Sequence, residues 1–239
     1  MKISGSGRIE GGKLEEELIV SGSGHILDDL ECKGIRASGS LHGKSALITH
    51  GDVQSSGSFQ IGGFLQGDND AKFSGSASIG QEVALKGILK SSGSFRAGGD
   101  VSALSGISTS GSANITGNIS SEKEVSFEGS ARISGNITGE DVLVGTKYLK
   151  VGKRIFAKKN YPYRIYGSIK ARNNVEIFRA RVVGNITGRN VKIDKGSYVK
   201  GNVYYVDTIE IHPKAKVLTP PVQIKEEDLE RFTNSVRSD

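Results

Sequence analysis

A Ser-Gly-Ser triplet returns along the chain at Ser4-Gly5-Ser6, Ser21-Gly22-Ser23, Ser38-Gly39-Ser40, Ser56-Gly57-Ser58, Ser74-Gly75-Ser76, Ser92-Gly93-Ser94 and Ser110-Gly111-Ser112, with Glu128-Gly129-Ser130 as a variant copy. Successive copies lie 17 or 18 residues apart. So short and constant a period marks one structural unit used many times, each unit burying its apolar side only against its neighbours. A helix pair does not fit in that length, so the unit is a coil of strands.

Aligned on the first Ser, position five holds Ile9, Ile26, Gly43, Ile61, Ile79, Ala97, Ile115 and Ile133, and position nine holds Lys13, Leu30, Leu47, Leu65, Val83, Val101, Ile119 and Ile137. A third apolar column, Leu18, Ile35, Val53, Ala71, Leu89, Ile107 and Val125, falls three residues before the next triplet. The position before the first column is polar: Arg8, His25, His42, Gln60, Ser78, Arg96, Asn114 and Arg132. Neighbouring positions thus alternate in and out, as in β-strands. Three apolar columns per coil predict a triangular, all-β parallel β-helix of about 13 coils at the ~4.8 Å strand spacing. A left-handed hexapeptide helix needs an apolar residue at every sixth position, and Ile115-Thr116-Gly117-Asn118-Ile119 breaks that rule, so the right-handed form is expected. The triplet glycine is expected at a corner with φ > 0, where it carries no Cβ penalty.

Beyond Gly139 the triplet fades, while Ile165-Tyr166-Gly167-Ser168-Ile169, Val182-Val183-Gly184-Asn185-Ile186 and Val199-Lys200-Gly201-Asn202-Val203 continue the coil. Four segments follow: coils with Ser-Gly-Ser corners over 1–145, an irregular basic and aromatic coil or loop over 146–164, further coils over 165–220, and a charged tail over 221–239. Pro220-Pro221 ends the inner strands, since proline cannot donate to a ladder. Glu226-Glu227-Asp228 then favours a short helix, acids being stabilised in a first turn.

The Gly-Asn-Ile-Thr runs followed by Val-x-Ile, as in Val183-Gly184-Asn185-Ile186-Thr187-Gly188-Arg189-Asn190-Val191-Lys192-Ile193, resemble the bactofilins, polymer-forming cytoskeletal proteins of prokaryotes. The resemblance is strongest over residues 115–137 and 165–217. It implies a right-handed triangular β-helix that joins end to end into non-polar filaments without bound nucleotide. The Ser-Gly-Ser corners of residues 1–112 depart from that pattern.

The repeat itself points the same way, because terminal coils of a solenoid leave backbone groups and core columns open. Three residues before Ser4 leave no room for a cap, so the first coil, with Ile3 and Ile9, is expected to meet the same coil of a second molecule. At the other end Leu229 or Phe232 of the tail is expected to cover Val217 and Leu218.

No catalytic, cofactor-binding or metal-binding set is expected. His25 and His42 share one coil position, but their column is an outward polar row. Cys32 reads as a small core filler, and the glycine-rich runs lack the order that cradles phosphates. The sequons at Asn114, Asn118, Asn136 and Asn185 read as turn residues. One cysteine and the polar Met1-Lys2-Ile3-Ser4 start point to the cytoplasm, the inner membrane surface being a second location.

The net charge of +6 is unevenly spread: residues 1–120 carry 10 basic and 12 acidic side chains, residues 121–239 carry 22 and 14. Lys147, Lys150, Lys153, Arg154, Lys158, Lys159, Arg164, Lys170 and Arg172 form an acid-free basic patch interleaved with Tyr148, Phe156, Tyr161, Tyr163 and Tyr166. Such a mixture suits an anionic membrane surface or an acidic protein partner, with nucleic acid ranked last. The expected function is a non-enzymatic structural protein that self-assembles into cytoskeletal filaments and scaffolds other proteins. The alternative is a monomeric binding module that uses the basic surface.

Overall fold

The computed structural model describes residues 1–145 and 161–234. Parallel strands stack into a three-faced solenoid, and the described residues hold one helix, α1 (Glu226–Asn234). The first face is a sheet of twelve strands, one per coil, running from Ser6–Ile9 to Lys216–Val217. The second and third faces form a single twenty-stranded sheet. They join because Gly12–Val20, Leu30–Ala37, Ile186–Ile193 and Val203–Ile211 each run unbroken from one face to the next. Pairing keeps equivalent positions in register, as in Ser76↔Ser94, Ala77↔Phe95, Ser78↔Arg96 and Ile79↔Ala97.

Twelve coils stand where the sequence suggests 13, and the difference lies at the basic segment. Ala131, Arg132 and Ile133 pair directly with Tyr163, Arg164 and Ile165. The coil that ends at Gly145 is therefore followed directly by the one that begins at Tyr161, and residues 146–160 fall in sequence at the corner that Ser-Gly-Ser occupies in earlier coils. At the other end Val222–Gln223, beyond the prolines, adds a short strand against Tyr204 and Tyr205, so the pattern outlasts residue 220.

Each face turns two positions inward, which makes six core columns rather than the three visible as apolar repeats. The three less regular columns alternate in size. Leu41, Phe59, Ala77, Phe95 and Ala113 line one, and Ala37, Ser55, Phe73, Ser91 and Thr109 line another, all buried. Phe73 sits between Phe59 and Phe95, with ring centroids 5.1 and 6.1 Å away. Where one column carries a ring, the other carries a small residue in the same coil, Ser55 with Phe59, Phe73 with Ala77 and Ser91 with Phe95, so the rings interleave between coils as close packing requires. The hydroxyls of Thr49, Ser55, Ser91 and Thr109 end up inside without a hydrogen-bond partner. Lys13 departs from its column. Gly12 pairs with Leu30, so Lys13 faces solvent beside Glu31, and a bulge lies between Leu14 and Glu17.

The triplet glycines are not left-handed: the glycines with positive φ are Gly11, Gly12, Gly106, Gly145 and Gly196. Close stacking demands them instead. A Cβ on Gly39, Gly57, Gly75, Gly93 or Gly111 would overlap the carbonyl oxygen of the triplet glycine one coil earlier. The corner between first and second faces is held by side chains that reach the backbone one coil on. Asp100 accepts from Asn118 N (2.6 Å), Asn118 from Asn136 N (2.9 Å), Asn136 from Ser168 N (2.8 Å), and Asn185 from Asn202 N (2.9 Å). Asn118, Asn136 and Asn185 are thus corner residues, whereas Asn114 lies within the strand Ser112–Ile115.

Two substitutions test this packing. Gly93→Ala is expected to cost about 1–3 kcal/mol or more, as overpacking does, while Gly5→Ala, with open space at the same corner position, stays within about 0.5 kcal/mol of wild type. Thr109→Val removes a buried unpaired hydroxyl and is expected to stabilise by about 1 kcal/mol. Chemical denaturation of the three variants beside wild type measures all of these.

Candidate functional site

The outward positions of the first face change character along the rod. Register places Arg96, Asn114, Arg132, Arg164, Arg181, Tyr198 and Lys216 in one column, each on the next coil. At ~4.8 Å per rung the column runs roughly 30 Å along the rod axis. Among the described residues, no carboxylate pairs with Arg132, Arg164 or Arg181. Tyrosines accompany them: the Arg132 guanidinium lies 5.1 Å from the Tyr166 ring centroid, that of Arg181 5.6 Å from Tyr198, and Lys216 Nζ 6.0 Å from Tyr198 on the following coil. Tyr161 lies 6.4 Å from Tyr198, centroid to centroid. Tyr161 and Pro162 overhang the column and, with Arg96, Asn114, Arg132 and Arg164, enclose a cleft of about 330 Å³. The preceding corner adds Lys195, which lies over Phe178 at 5.7 Å, and Lys214.

The basic patch expected from the sequence is distributed differently. Lys147, Lys150, Lys153, Arg154, Lys158 and Lys159 lie outside the described residues. Arg164 belongs to the column, but Lys170 points outward from the second face and Arg172 from the corner after it. The structure does not bring these three together. The sequence reading missed Arg132, Arg181 and Lys216 as members of one surface, although their shared offset within the coil is legible once residues 146–160 are removed from the count.

Toward the other end the same stacking places opposite charges in line. Lys13 Nζ lies 3.5 Å from Glu31, His50 Nε2 3.0 Å from Glu31, His50 Nδ1 2.7 Å from Asp68, and Lys86 Nζ 2.7 Å from Asp68. The hydrogen bond that His50 donates to Asp68, then that to Glu31, raises the His50 pKa above its ordinary 6.5. Lys86 and then His50 lower Asp68, and His50 lowers Glu31.

His25 and His42 stack with ring centroids 5.7 Å apart, in the outward row. Among the described residues no group of three or more metal-ligating side chains is gathered. Cys32 is buried, its thiol pushed up to about 11 by burial, as suits a core filler.

The ends differ from expectation. Ile3 and Ile9 are buried, 7% and 6% exposed, so the first coil offers backbone edges more than open core. Those edges are Lys2–Ile3 and Ser6–Ile9, each paired on one side only. At the carboxyl-terminal end Val217 is half-buried, and Ile211, Leu218 and Val222 are 38%, 47% and 48% exposed. The described part of the tail does not cover them. α1 lies sideways on the strands Ile169–Ala171 and Ile186–Ile193, with Leu229 buried (2% exposed) and Thr187 buried beneath. Arg189 holds it there, pairing with Glu226 of α1 and, at 3.3 Å, with Asp207. The Phe232 side chain lies outside the described residues. Among the described residues no helix is long and apolar enough to cross a membrane.

These features define the chain as a parallel β-solenoid with an arginine-tyrosine column on one face and an open final coil. No family model, curated protein or solved structure matches it.

The charge ladder gives a pH test. A raised His50 pKa stabilises the fold fully below its ordinary 6.5 and loses that effect as pH rises through the raised value. The lowered carboxylates of Glu31 and Asp68 contribute above their ordinary 4.5 and 3.8 and lose the effect as pH falls through the lowered values. His50→Gln is therefore expected to lower the melting temperature more near about pH 5.5 than near about pH 8.5. An equal decrement at both, read by thermal scans, refutes the coupling.

Proposed function

We propose that the chain is a bactofilin-like, non-enzymatic structural protein of the cytoplasm, which assembles end to end and scaffolds other proteins. The open carboxyl-terminal coil carries this reading. Chain is present beyond that coil, yet α1 packs on the side of the rod and leaves Ile211, Leu218 and Val222 partly exposed. The second-face part of Val203–Ile211 is partly covered by Val222–Gln223, while Lys216–Val217 pairs only backward. Such an edge is a template for further strands, and burying an aliphatic side chain of this size is worth about 1.5–3 kcal/mol.

The occupant that fits is a second copy, because a solenoid end matches the period and width of its own kind. Pairing of like ends is self-complementary and gives a closed two-fold contact. Continuation into a filament uses the amino-terminal coil, whose strand edges face away from the rod. This sharpens the sequence expectation: apolar area favours the carboxyl-terminal end for the tighter joint and leaves backbone pairing to the first coil.

Electron microscopy and sedimentation test the reading. Wild type is expected as rods in multiples of one subunit, roughly 60 Å from twelve coils. Leu218→Lys with Val222→Lys is expected to shorten the assemblies. Deletion from Lys225 onward, which takes away the sideways helix, leaves length unchanged. Wild type that stays monomeric as concentration rises would falsify end-to-end assembly.

A further inference from the structure

Stacking in register makes like residues neighbours, and like charges placed opposite each other across strands destabilise a sheet. Toward the amino-terminal end the chain offsets this by alternating sign, as in Lys13, Glu31, His50, Asp68 and Lys86, and where Lys72 and Lys90 do pair in register on the third face, Asp70 stands 3.0 Å from Lys72. On the first face it does the reverse: Arg132, Arg164 and Arg181 stand on three successive coils. The only described offset is from tyrosine rings beside Arg132 and Arg181. Residues 146–160 hold no acid that could neutralise them. An uncompensated row of this kind is what a polyanion ligand would complete.

We propose that this column binds single-stranded nucleic acid lying along the rod axis. Four features favour that ligand. The cations form a line one residue wide, which follows one phosphate backbone, whereas the two strands of a duplex wind away from a straight line. The ~4.8 Å rung exceeds the ~3.4 Å per phosphate of a stacked strand, so a strand in register with it is stretched and its bases are partly unstacked. Tyr161 and Tyr166 stand before and after the strand that carries Arg164, and Tyr198 stands within the column, which supplies rings for those bases. The cleft beneath Tyr161 and Pro162 is concave; a chain enters it and a planar bilayer does not. The sequence ranks nucleic acid last because it reads a local cluster of cations, whereas the column gathers Arg96, Arg132, Arg164, Arg181 and Lys216 from coils far apart in sequence.

Fluorescence anisotropy with a labelled oligothymidylate of about 20 nucleotides tests the proposal across about 50–200 mM salt. Five cations on phosphates, at about −0.7 per contact, predict a slope of log K on log salt of about −3.5. Arg164→Ala with Arg181→Ala is expected to weaken binding about tenfold or more and to reduce that slope, and Tyr198→Leu to weaken it about fivefold at unchanged slope. Lys72→Ala with Lys90→Ala removes two cations from the third face and is expected to leave binding unchanged; circular dichroism confirms that each variant is folded. Equal losses from both double variants, equal or tighter binding of a duplex of the same length, or capture by phosphatidylserine vesicles without oligonucleotide binding would each overturn the proposal. Leu218→Lys with Val222→Lys keeps oligonucleotide binding, so the outcome is read separately from assembly.

Discussion

Every strand between the two ends of the rod hydrogen-bonds to the equivalent strand one coil before and after, and the other features are consequences of that in-register ladder. With coils ~4.8 Å apart, whatever stands at a given offset touches its own kind on both sides. A corner must then be narrow enough for backbone to lie on backbone, which is why the Ser-Gly-Ser centres tolerate no Cβ. A polar corner residue finds a free N–H at fixed distance above it, so Asp100, Asn118 and Asn136 form a chain of side-chain acceptors. Charged columns must alternate in sign or carry the repulsion.

The insertion at residues 146–160 divides the rod at one of these corners. Before it, the corner into the first face is Ser-Gly-Ser, small and uncharged. After it, the same corner is built from Phe178-Arg179, Lys195-Gly196 and Pro213-Lys214, and Arg179 takes a positive φ of 52°. Once an insertion has interrupted the glycine stack, the coils beyond no longer lie under an uninterrupted run of close backbone, and larger, charged residues fit. Among the described residues, the face that begins at the altered corner carries Arg132, Arg164, Arg181 and Lys216, with Arg179, Lys195 and Lys214 at the corner itself.

The fold was largely legible because its signal is periodic. The Ile9, Ile26, Ile61 column and the Leu30, Leu47, Leu65 column are apolar in nearly every coil, so alignment on the triplet reveals them. Columns such as Ala37, Ser55, Phe73 and Ser91 were invisible, since what is kept there is the volume shared with a neighbouring column rather than residue type. The triplet glycine was placed correctly at a corner but for the wrong reason, because a sequence does not distinguish a glycine needed for φ from one needed for contact. The extra coil arose from reading residues 146–164 as an irregular coil or loop; strand pairing from Ala131 to Tyr163 removes it. Of the basic and aromatic patch read from the sequence, Arg164, Tyr161 and Tyr166 belong to the column's surface, while Lys170 and Arg172 lie near it in sequence but turn away within a few residues, as a strand and a corner require. The tail helix was expected from its acidic first turn, but its docking site depends on Arg189 and Thr187, which no local pattern links to Leu229.

The two ends show how the ladder's strength becomes an assembly problem. A closed sheet has no edge, but a solenoid always has two, and each internal joint is a sample of what an end offers. The first coil limits that offer by burying Ile3 and Ile9, leaving chiefly backbone groups. The last coil keeps apolar side chains in reach of solvent while a helix that could have covered them is fastened elsewhere by Arg189. A monomeric rod would gain stability by folding α1 over Leu218 and Val222, and Leu229 has the apolar surface to do it. That the helix is committed to the side of the rod is the physical ground for reading the open coil as an interface rather than as an unfinished core.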